Sequence, residues 1–162
     1  MVEYKRATLE DLERIWDCHI AQNPGDDRYL RWKQQFLSRN IMQEAATFAV
    51  VLDGEPVGEV TLDFHASGYS AKESRMRLAD GSTTGYVTAL RIRKEFEGLG
   101  YVSKLMRYME ASAKDMGFSR LTIGVEAAQT RNLGIYLHWG YDRFVMAEED
   151  DGVLVLFYAK KL

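Results

Sequence analysis

The sequence predicts an α/β fold in which a mixed, mostly antiparallel sheet of about seven strands is flanked by about four helices. Apolar residues alternate with polar ones in several short segments and recur every three to four residues in longer ones. The segments follow the order β-α-α-β-β-β-α-β-α-β-β, so strands and helices are interleaved along the chain. The length of 162 residues fits one domain, and we therefore expect residues 1–162 to form a single domain.

Composition excludes several classes of protein. With 46% hydrophobic and 28% charged residues, the chain has ordinary globular composition. A net charge of -3 argues against nucleic-acid binding, which needs a basic surface. The single cysteine, Cys18, rules out an internal disulfide framework and a multi-cysteine zinc site. No metal site is predicted, because His19, His65 and His138 lack metal-ligand spacing.

The first part of the chain reads as a strand and two helices. Residues 2–7 alternate and predict a short strand, and Thr8 with Asp11 three residues later resembles a capping box at a helix start. The segment 23–27, Asn-Pro-Gly-Asp-Asp, separates the two helical patterns. The apolar positions are Leu9, Leu12, Ile15 and Trp16 in the first helix, and Tyr29, Leu30, Trp32, Phe36, Leu37 and Ile41 in the second.

Two strands and a polar segment follow. Residues 47–52 lead into Asp53 and Gly54, a strong hairpin signal, and residues 57–64 form the returning strand. Residues 65–84 are rich in Ser, Gly, Lys, Arg and Glu. Such a long segment is either functional or a surface insertion, and the sequence leaves both open.

The second half of the chain predicts four further strands and two helices. Residues 85–93 form a strand, and a helix then begins near Val102 and ends before Gly117. Its apolar stripe comprises Val102, Leu105, Met106, Met109, Ala113 and Met116. A strand over 121–125, a helix over 129–139, and strands over 141–146 and 153–159 complete the chain, with an acidic turn over 148–152.

The junction between the strand ending at residue 93 and the next helix is the most informative segment. Two glycines, Gly98 and Gly100, allow the backbone to approach a ligand, and a helix N-terminus offers N–H groups that bind phosphate. No Gly-Lys-Ser/Thr follows, and Ser103 stands where a Rossmann motif has its third glycine. A nucleotide-binding module is therefore disfavoured, while a purely structural turn stays open.

The segment from the strand over 85–93 to Tyr141 resembles the GNAT N-acetyltransferase superfamily. Gly100 stands at the central glycine of that family's motif, Arg/Gln-x-x-Gly-x-Gly/Ala, whereas Glu97 replaces the usual Arg or Gln and Val102 replaces the last Gly or Ala. An alternative register places Glu95, Gly98 and Gly100 there. A second family feature lies downstream, where Gln129 replaces an Asn, Asn132 replaces an Ala, and Tyr136 and Gly140 match directly.

The resemblance implies an acetyl-CoA-dependent transferase and assigns its residues. The backbone N–H groups that would hold the pyrophosphate of CoA belong to Gly98, Leu99, Gly100, Tyr101, Val102 and Ser103. The backbones of Leu90 and Ile92 would hydrogen-bond the pantetheine, which Gln129 would also contact. Tyr136 would lie near the CoA sulfur and donate a proton to it. We expect the carboxylate of Glu97 to point to solvent, because it would repel a pyrophosphate.

The acceptor is expected to be a primary amine on a small molecule or a peptide. An ammonium group must lose a proton before it attacks, and Glu59, Asp63 and Glu126 are candidate bases, although each reads as an ordinary surface carboxylate. Acidic residues in the N-terminal half favour a cationic acceptor: Asp26, Asp27, Glu59, Asp63 and Asp80. A non-catalytic CoA-binding or sensory module on the same fold is the alternative function.

Partners and location are also predicted. We expect no nucleic acid and no membrane as partners, since no apolar run approaches the roughly 20 residues of a membrane span. The N-terminal segment is charged and shows no signal peptide, which favours a cytoplasmic protein. Monomer and homodimer both stay open.

Overall fold

The computed structural model describes residues 1–65 and 76–162, and its elements follow the predicted order. The strands are β1 (Val2–Arg6), β2 (Ala45–Leu52), β3 (Glu55–Asp63), β4 (Thr84–Ile92), β5 (Arg120–Glu126), β6 (Arg143–Asp150) and β7 (Val153–Lys161). The helices are α1 (Leu9–Gln22), α2 (Arg28–Ile41), α3 (Tyr101–Asp115) and α4 (Thr130–His138). Residues 66–75, within the predicted segment 65–84, lie outside the described residues.

The seven strands have the order β1-β2-β3-β4-β5-β7-β6 in the sheet. The pairs β1–β2, β5–β7 and β6–β7 are antiparallel, whereas β4 and β5 run parallel. The predicted mixed, mostly antiparallel sheet with four helices is thereby confirmed. Among the described residues, no helix is long and apolar enough to cross a membrane.

Of the two predicted tight turns, one has the predicted position and the other is shorter than predicted. Asp53 and Gly54 both have positive φ, at 49° and 83°, as a two-residue hairpin turn with right-handed strand twist requires. The predicted acidic turn over 148–152 is wrong in extent. Only Asp151 and Gly152 form the turn, with φ of 48° and 79°, and β6 continues to Asp150, which pairs with Val153. A two-residue turn leaves its acidic neighbours in paired strand positions.

The predicted apolar helix faces are correct at their centres and wrong at several ends. Leu12, Ile15, Trp16 and Phe36 are buried in α1 and α2, and Leu105, Met106, Met109 and Ala113 are buried in α3. In contrast, Leu9, Leu30, Ile41 and Met116 are exposed. Leu9, Leu30 and Ile41 lie in the first or last turn of their helices, and Met116 follows the last residue of α3. At such positions the helical repeat no longer predicts burial.

The chain forms two compact units, of which the first comprises Met1–Leu62 and Ala89–Ser112. Its core joins α1 and α2 through Trp16 and Phe36, whose ring centroids are 4.9 Å apart. Thr47 and Thr61 share a buried hydroxyl–hydroxyl hydrogen bond of 2.8 Å, so two polar side chains inside this core satisfy each other.

The second unit comprises Asp63–Thr88 and Ala113–Leu162. The aromatic rings of Phe64 and Phe118 pack with centroids 5.4 Å apart. Gly124 on β5 lies under Phe157, since a Cβ added there would come within 2.8 Å of the Phe157 ring. The absence of a side chain at residue 124 therefore makes room for this ring.

The capping box predicted at the start of α1 is present. The Asp11 N–H donates to the Thr8 hydroxyl at 3.2 Å, and the Thr8 N–H donates to the Asp11 carboxylate at 2.8 Å. Lys5 also lies 2.8 Å from that carboxylate. Burial raises the pKa of Asp11, but the hydrogen bonds from Lys5 and Thr8 outweigh it and hold the pKa below its ordinary value.

We expect Thr8→Ala to lower the free energy of unfolding by about 1 kcal/mol. The substitution removes the hydroxyl that caps the Asp11 N–H at the start of α1 and that donates to the Asp11 carboxylate. Urea denaturation measures the change. Ser112→Ala is the control, since the Ser112 hydroxyl only donates back to the Tyr108 carbonyl on the surface of α3. A loss no larger for Thr8→Ala than for Ser112→Ala contradicts the expectation.

Candidate functional site

The junction that leads from β4 into α3 is built around two glycines. A 3-10 turn over Lys94–Phe96 follows β4, and Gly98 and Gly100 then adopt positive φ of 74° and 82°. Only glycine adopts this conformation without strain. A Cβ added at either residue would meet no atom of the described residues within 4 Å, so the backbone borders open space in this part of the structure.

The first turn of α3 presents N–H groups that have no acceptor within the helix. The first intrahelical bond runs from the Lys104 N–H to the Gly100 carbonyl at 3.3 Å, and the Ser103 hydroxyl donates to the same oxygen at 3.1 Å. The N–H groups of Tyr101, Val102 and Ser103 precede that bond. Helix geometry leaves such groups unpaired and directs them outward with the positive end of the helix dipole.

This junction fits an anion such as a phosphate. Gly98, Leu99 and Gly100 are exposed, and Tyr101 to Ser103 are half-buried. A side chain at either glycine would fill the open space, whereas the bare backbone leaves it to a ligand. Glu97 is also exposed, in agreement with the expectation that its carboxylate points to solvent.

The last part of β4 directs the backbone groups of Leu90 and Ile92 away from β3. The Arg93 N–H donates to the Val57 carbonyl of β3 at 2.9 Å, and the Arg91 carbonyl lies 3.1 Å from a Cβ placed on Gly58. Because successive residues of a strand point their backbone groups to alternate sides, those of residues 90 and 92 face the other side.

A break in β4 precedes these two residues. Ala89 has a φ of 52°, which is unusual for a residue with a side chain and disrupts regular strand pairing. The register with β5 covers Thr84 to Val87, before this break. The backbone groups of Leu90 and Ile92 thus lie beyond the part of β4 that pairs with β5, where an extended ligand can use them.

Helix α4, in the second unit, carries the other two predicted site residues. Gln129 is exposed and precedes the first helical residue, and its side-chain carbonyl accepts a hydrogen bond of 3.1 Å from Asn132. Its amide NH2 group keeps its donors for another partner. The Tyr136 ring packs against Trp139, with centroids 5.9 Å apart.

The hydroxyl of Tyr136 is suited to donate a proton. Burial raises the pKa of Tyr136 above its ordinary value, so the phenol is protonated at neutral pH. Within residues 1–65 and 76–162, the hydroxyl makes no hydrogen bond. It is therefore available to a ligand atom.

The interpretation of Glu59 and Asp63 as surface carboxylates is wrong. Both are buried, with 2% and 0% of their surface exposed, because β3 is covered on both faces along nearly its whole length. Glu59 accepts a hydrogen bond of 2.7 Å from Nε2 of His19, and Arg91 lies 3.6 Å from the same carboxylate oxygen. Glu126, in contrast, is exposed as expected. Sequence reasoning missed the pairing with His19, which lies 40 residues away.

The acidic residues that favoured a cationic acceptor are largely engaged within the protein. The Asp26 carboxylate accepts hydrogen bonds from Arg28, and the Glu59 carboxylate accepts one from His19. Asp80 accepts hydrogen bonds from the N–H groups of Ser82, Thr83 and Thr84, and although burial raises its pKa, these bonds lower it far below the usual range. The sequence argument for a cationic acceptor therefore loses its main support.

The predicted site residues divide between the two units. Leu90, Ile92 and the segment from Gly98 to Ser103 lie in the first unit, where the same β4–α3 connection holds them. Gln129 and Tyr136 lie in the second unit, the first immediately before α4 and the second in its second turn.

Comparisons with known proteins converge on one family. Residues 9–141 match the Acetyltransferase (GNAT) family. No curated protein matches the sequence. Among solved structures, PaiA N-acetyltransferase from Thermoplasma acidophilum in complex with coenzyme A has a TM-score of 0.64 at 15% identity, covering 100% of this chain and 99% of that one.

Two further structures show the same fold. Ribosomal-protein-alanine N-acetyltransferase from Brucella melitensis has a TM-score of 0.71 at 15% identity, with 99% of each chain covered. The yncA protein of Salmonella typhimurium, solved with its cofactor acetyl-CoA, has a TM-score of 0.72 at 12% identity, covering 100% of this chain and 94% of that one. At such identities the likeness concerns the fold.

Proposed function

Because the chain belongs to the GNAT acetyltransferase family, we propose that it transfers the acetyl group of acetyl-CoA to a primary amine by direct attack on the thioester. The cofactor is acetyl-CoA, as in the family, and two of the structures with this fold carry CoA or acetyl-CoA. The acceptor is a small-molecule or peptide amine.

The junction at Gly98 and Gly100 is the observation that carries this proposal. Its open backbone and the three N–H groups at the start of α3 form a cradle for the pyrophosphate of CoA. Leu90 and Ile92 supply backbone groups for the amides of the pantetheine, since these groups face away from β3. Gln129 supplies an amide donor from α4.

Tyr136 acts as general acid in the proposed reaction. The amine nitrogen bonds to the thioester carbonyl carbon, the carbon–sulfur bond breaks, and its electron pair goes to the sulfur. The Tyr136 hydroxyl donates a proton to that sulfur, and the tyrosine regains a proton from the attacking nitrogen. The unengaged, protonated phenol of Tyr136 supports this role.

Acetyl-CoA is expected to stabilise the protein against heat. At a ligand concentration 100 times the Kd, binding adds about 2.7 kcal/mol to the free energy of unfolding. For a chain of this size the melting temperature then rises by roughly 5–10 °C. A thermal-shift panel of acetyl-CoA, NADH and ATP measures it, and no shift with acetyl-CoA, or a larger one with NADH, refutes the assignment.

A second assay separates an enzyme from a protein that only binds CoA. Release of free thiol from acetyl-CoA is followed with a panel of amines: spermidine, lysine ethyl ester and a peptide with a free amino terminus. Amine-dependent thiol release supports the transferase. A thermal shift with acetyl-CoA, without thiol release on any amine, supports the binding or sensory module instead.

A further inference from the structure

Four side chains of the first unit form a polar and aromatic cluster, here called the His19 cluster: Trp16 and His19 of α1, Glu59 of β3, and Arg91 of β4. The Glu59 carboxylate accepts from Nε2 of His19 at 2.7 Å, and Nη1 of Arg91 lies 3.6 Å from the same oxygen. The Trp16 ring contacts the His19 ring, with 5.2 Å between their centroids. The Arg91 guanidinium lies over the Trp16 ring, 5.3 Å from its centroid.

A buried carboxylate needs such partners. Moving an ionised carboxylate out of water is costly unless it is paired and hydrogen-bonded. The side chain of Glu59 is 3% exposed, whereas that of His19 is 19% exposed. Glu59 is thus held inside the protein, and His19 connects it to the surface.

The bond to Glu59 fixes the tautomer of His19. A carboxylate can only accept, so Nε2 carries the hydrogen and, in the neutral ring, Nδ1 carries the free lone pair. Within the part of the chain that the structure describes, Nδ1 has no hydrogen-bond partner. A carboxylate that orients an imidazole in this way prepares its other nitrogen to accept a proton.

A second observation in the same cluster points to a ligand. The indole N–H of Trp16 is buried, with only 1% of the residue exposed, and it has no hydrogen-bond partner among residues 1–65 and 76–162. A buried donor that is left unsatisfied destabilises the protein, because it has lost its hydrogen bonds to water and gained none in return. Because the Trp16 ring contacts the His19 ring, an acceptor atom of a bound molecule that satisfied the indole N–H would lie near the histidine.

We propose that His19 is the general base that deprotonates the acceptor amine, and that Glu59 is the residue that positions it. The inference rests on the proposed acetyl transfer. The acceptor binds as an ammonium ion, and Nδ1 of His19 takes one proton and later releases it to water. The free amine then forms the nitrogen–carbon bond, the carbon–sulfur bond breaks, and the sulfur takes its proton from Tyr136.

In the described part of the chain, His19 forms its ion pair with a residue of β3. Glu59 faces it from β3, and Arg91 of β4 reaches it through that carboxylate. Helix α2 brings the neutral Phe36 against Trp16, and Lys33 of α2 is paired with Asp17 of α1 at 2.6 Å. Glu59 is therefore the charged side chain in direct contact with the His19 ring.

The first test is the ring tautomer, which is independent of the acceptor. Two-bond 15N–1H correlation spectra at a pH of about 8 distinguish the two neutral tautomers, and His19→Gln identifies the signals. We expect Nε2–H with an unprotonated Nδ1, and loss of this strong preference in Glu59→Gln. A hydrogen on Nδ1 in the wild-type protein overturns the proposal, whichever amine reacts.

The second test is kinetic and uses the amine from the panel that releases thiol fastest. We expect His19→Gln to lower kcat/KM by about 100-fold and to remove the fall in rate at acid pH, because the variant lacks the imidazole that must be unprotonated to accept the proton. Glu59→Gln is expected to lower kcat about 10-fold and to keep the acid limb, since the imidazole remains. The thermal shift with acetyl-CoA stays unchanged in both.

Matched variants separate this role from a structural one. His138→Gln removes an exposed histidine, and Glu55→Gln removes a carboxylate from the same strand that is bonded to Arg14 and Arg93 at the surface. Both are expected to keep the wild-type pH profile. If the wild type binds acetyl-CoA but His19→Gln keeps the full rate and the same fall in rate at acid pH, the role proposed for His19 is contradicted. Acetyl transfer itself is not contradicted by that result. If the wild type binds no acetyl-CoA, the transfer itself falls.

Discussion

Gly100→Asp is expected to abolish acetyl-CoA binding while the protein still folds. The residue lies just before α3, and a Cβ added there would meet no atom of the described residues within 4 Å. The added side chain would instead occupy the pyrophosphate cradle and place a negative charge beside two phosphates. We expect the Kd to rise at least about 100-fold, equivalent to about 2.7 kcal/mol.

The control for this variant must carry the same backbone strain and the same charge. Gly152→Asp does so, because Gly152 has a φ of 79°, close to the 82° of Gly100, and also borders open space in the β6–β7 turn. Calorimetric titration with acetyl-CoA gives the Kd, and circular dichroism reports folding. Unchanged affinity in folded Gly100→Asp would contradict the cradle, and an unfolded variant alongside a folded control would show that Gly100 serves the fold.

Local sequence patterns predict those parts of the fold that depend on neighbouring residues. The capping box of Thr8 and Asp11 and the turn at Asp53 and Gly54 each involve residues within three positions of one another, and both are present. Gly98 and Gly100, where the local glycine pattern predicts a bare backbone open to a ligand, adopt positive φ. Such features are encoded by propensity and turn chemistry alone.

The features that the sequence did not reveal depend on distant residues. Glu59 reads as a surface residue in a strand that carries both polar and apolar side chains, but the covering of both faces of β3 buries it. Its compensation by His19 and Arg91 joins three elements far apart in the chain. The break at Ala89 is also invisible, since alanine has no local preference for a positive φ.

Tyr136→Phe is expected to lower turnover by about 100-fold, at the lower end of what general acid catalysis contributes. A thiol has a pKa of only about 8.5, so its thiolate leaves readily and needs modest help. Phenylalanine keeps the ring that packs on Trp139, and the lost hydroxyl leaves no hydrogen-bond partner behind in the described residues. Affinity for acetyl-CoA should therefore be nearly unchanged.

The pH dependence gives the Tyr136 prediction a second readout. A general acid works below its pKa, and burial raises the pKa of Tyr136 above its ordinary value near 10, so the wild type should lose no activity through this group between pH 7 and about 10. Tyr136→Phe should accordingly reduce the rate evenly across that range. Steady-state kinetics measure this, with Tyr108→Phe, at an exposed tyrosine of α3, as the matched control. Wild-type turnover in Tyr136→Phe would make this tyrosine a packing residue and leave the thiolate to take its proton from water.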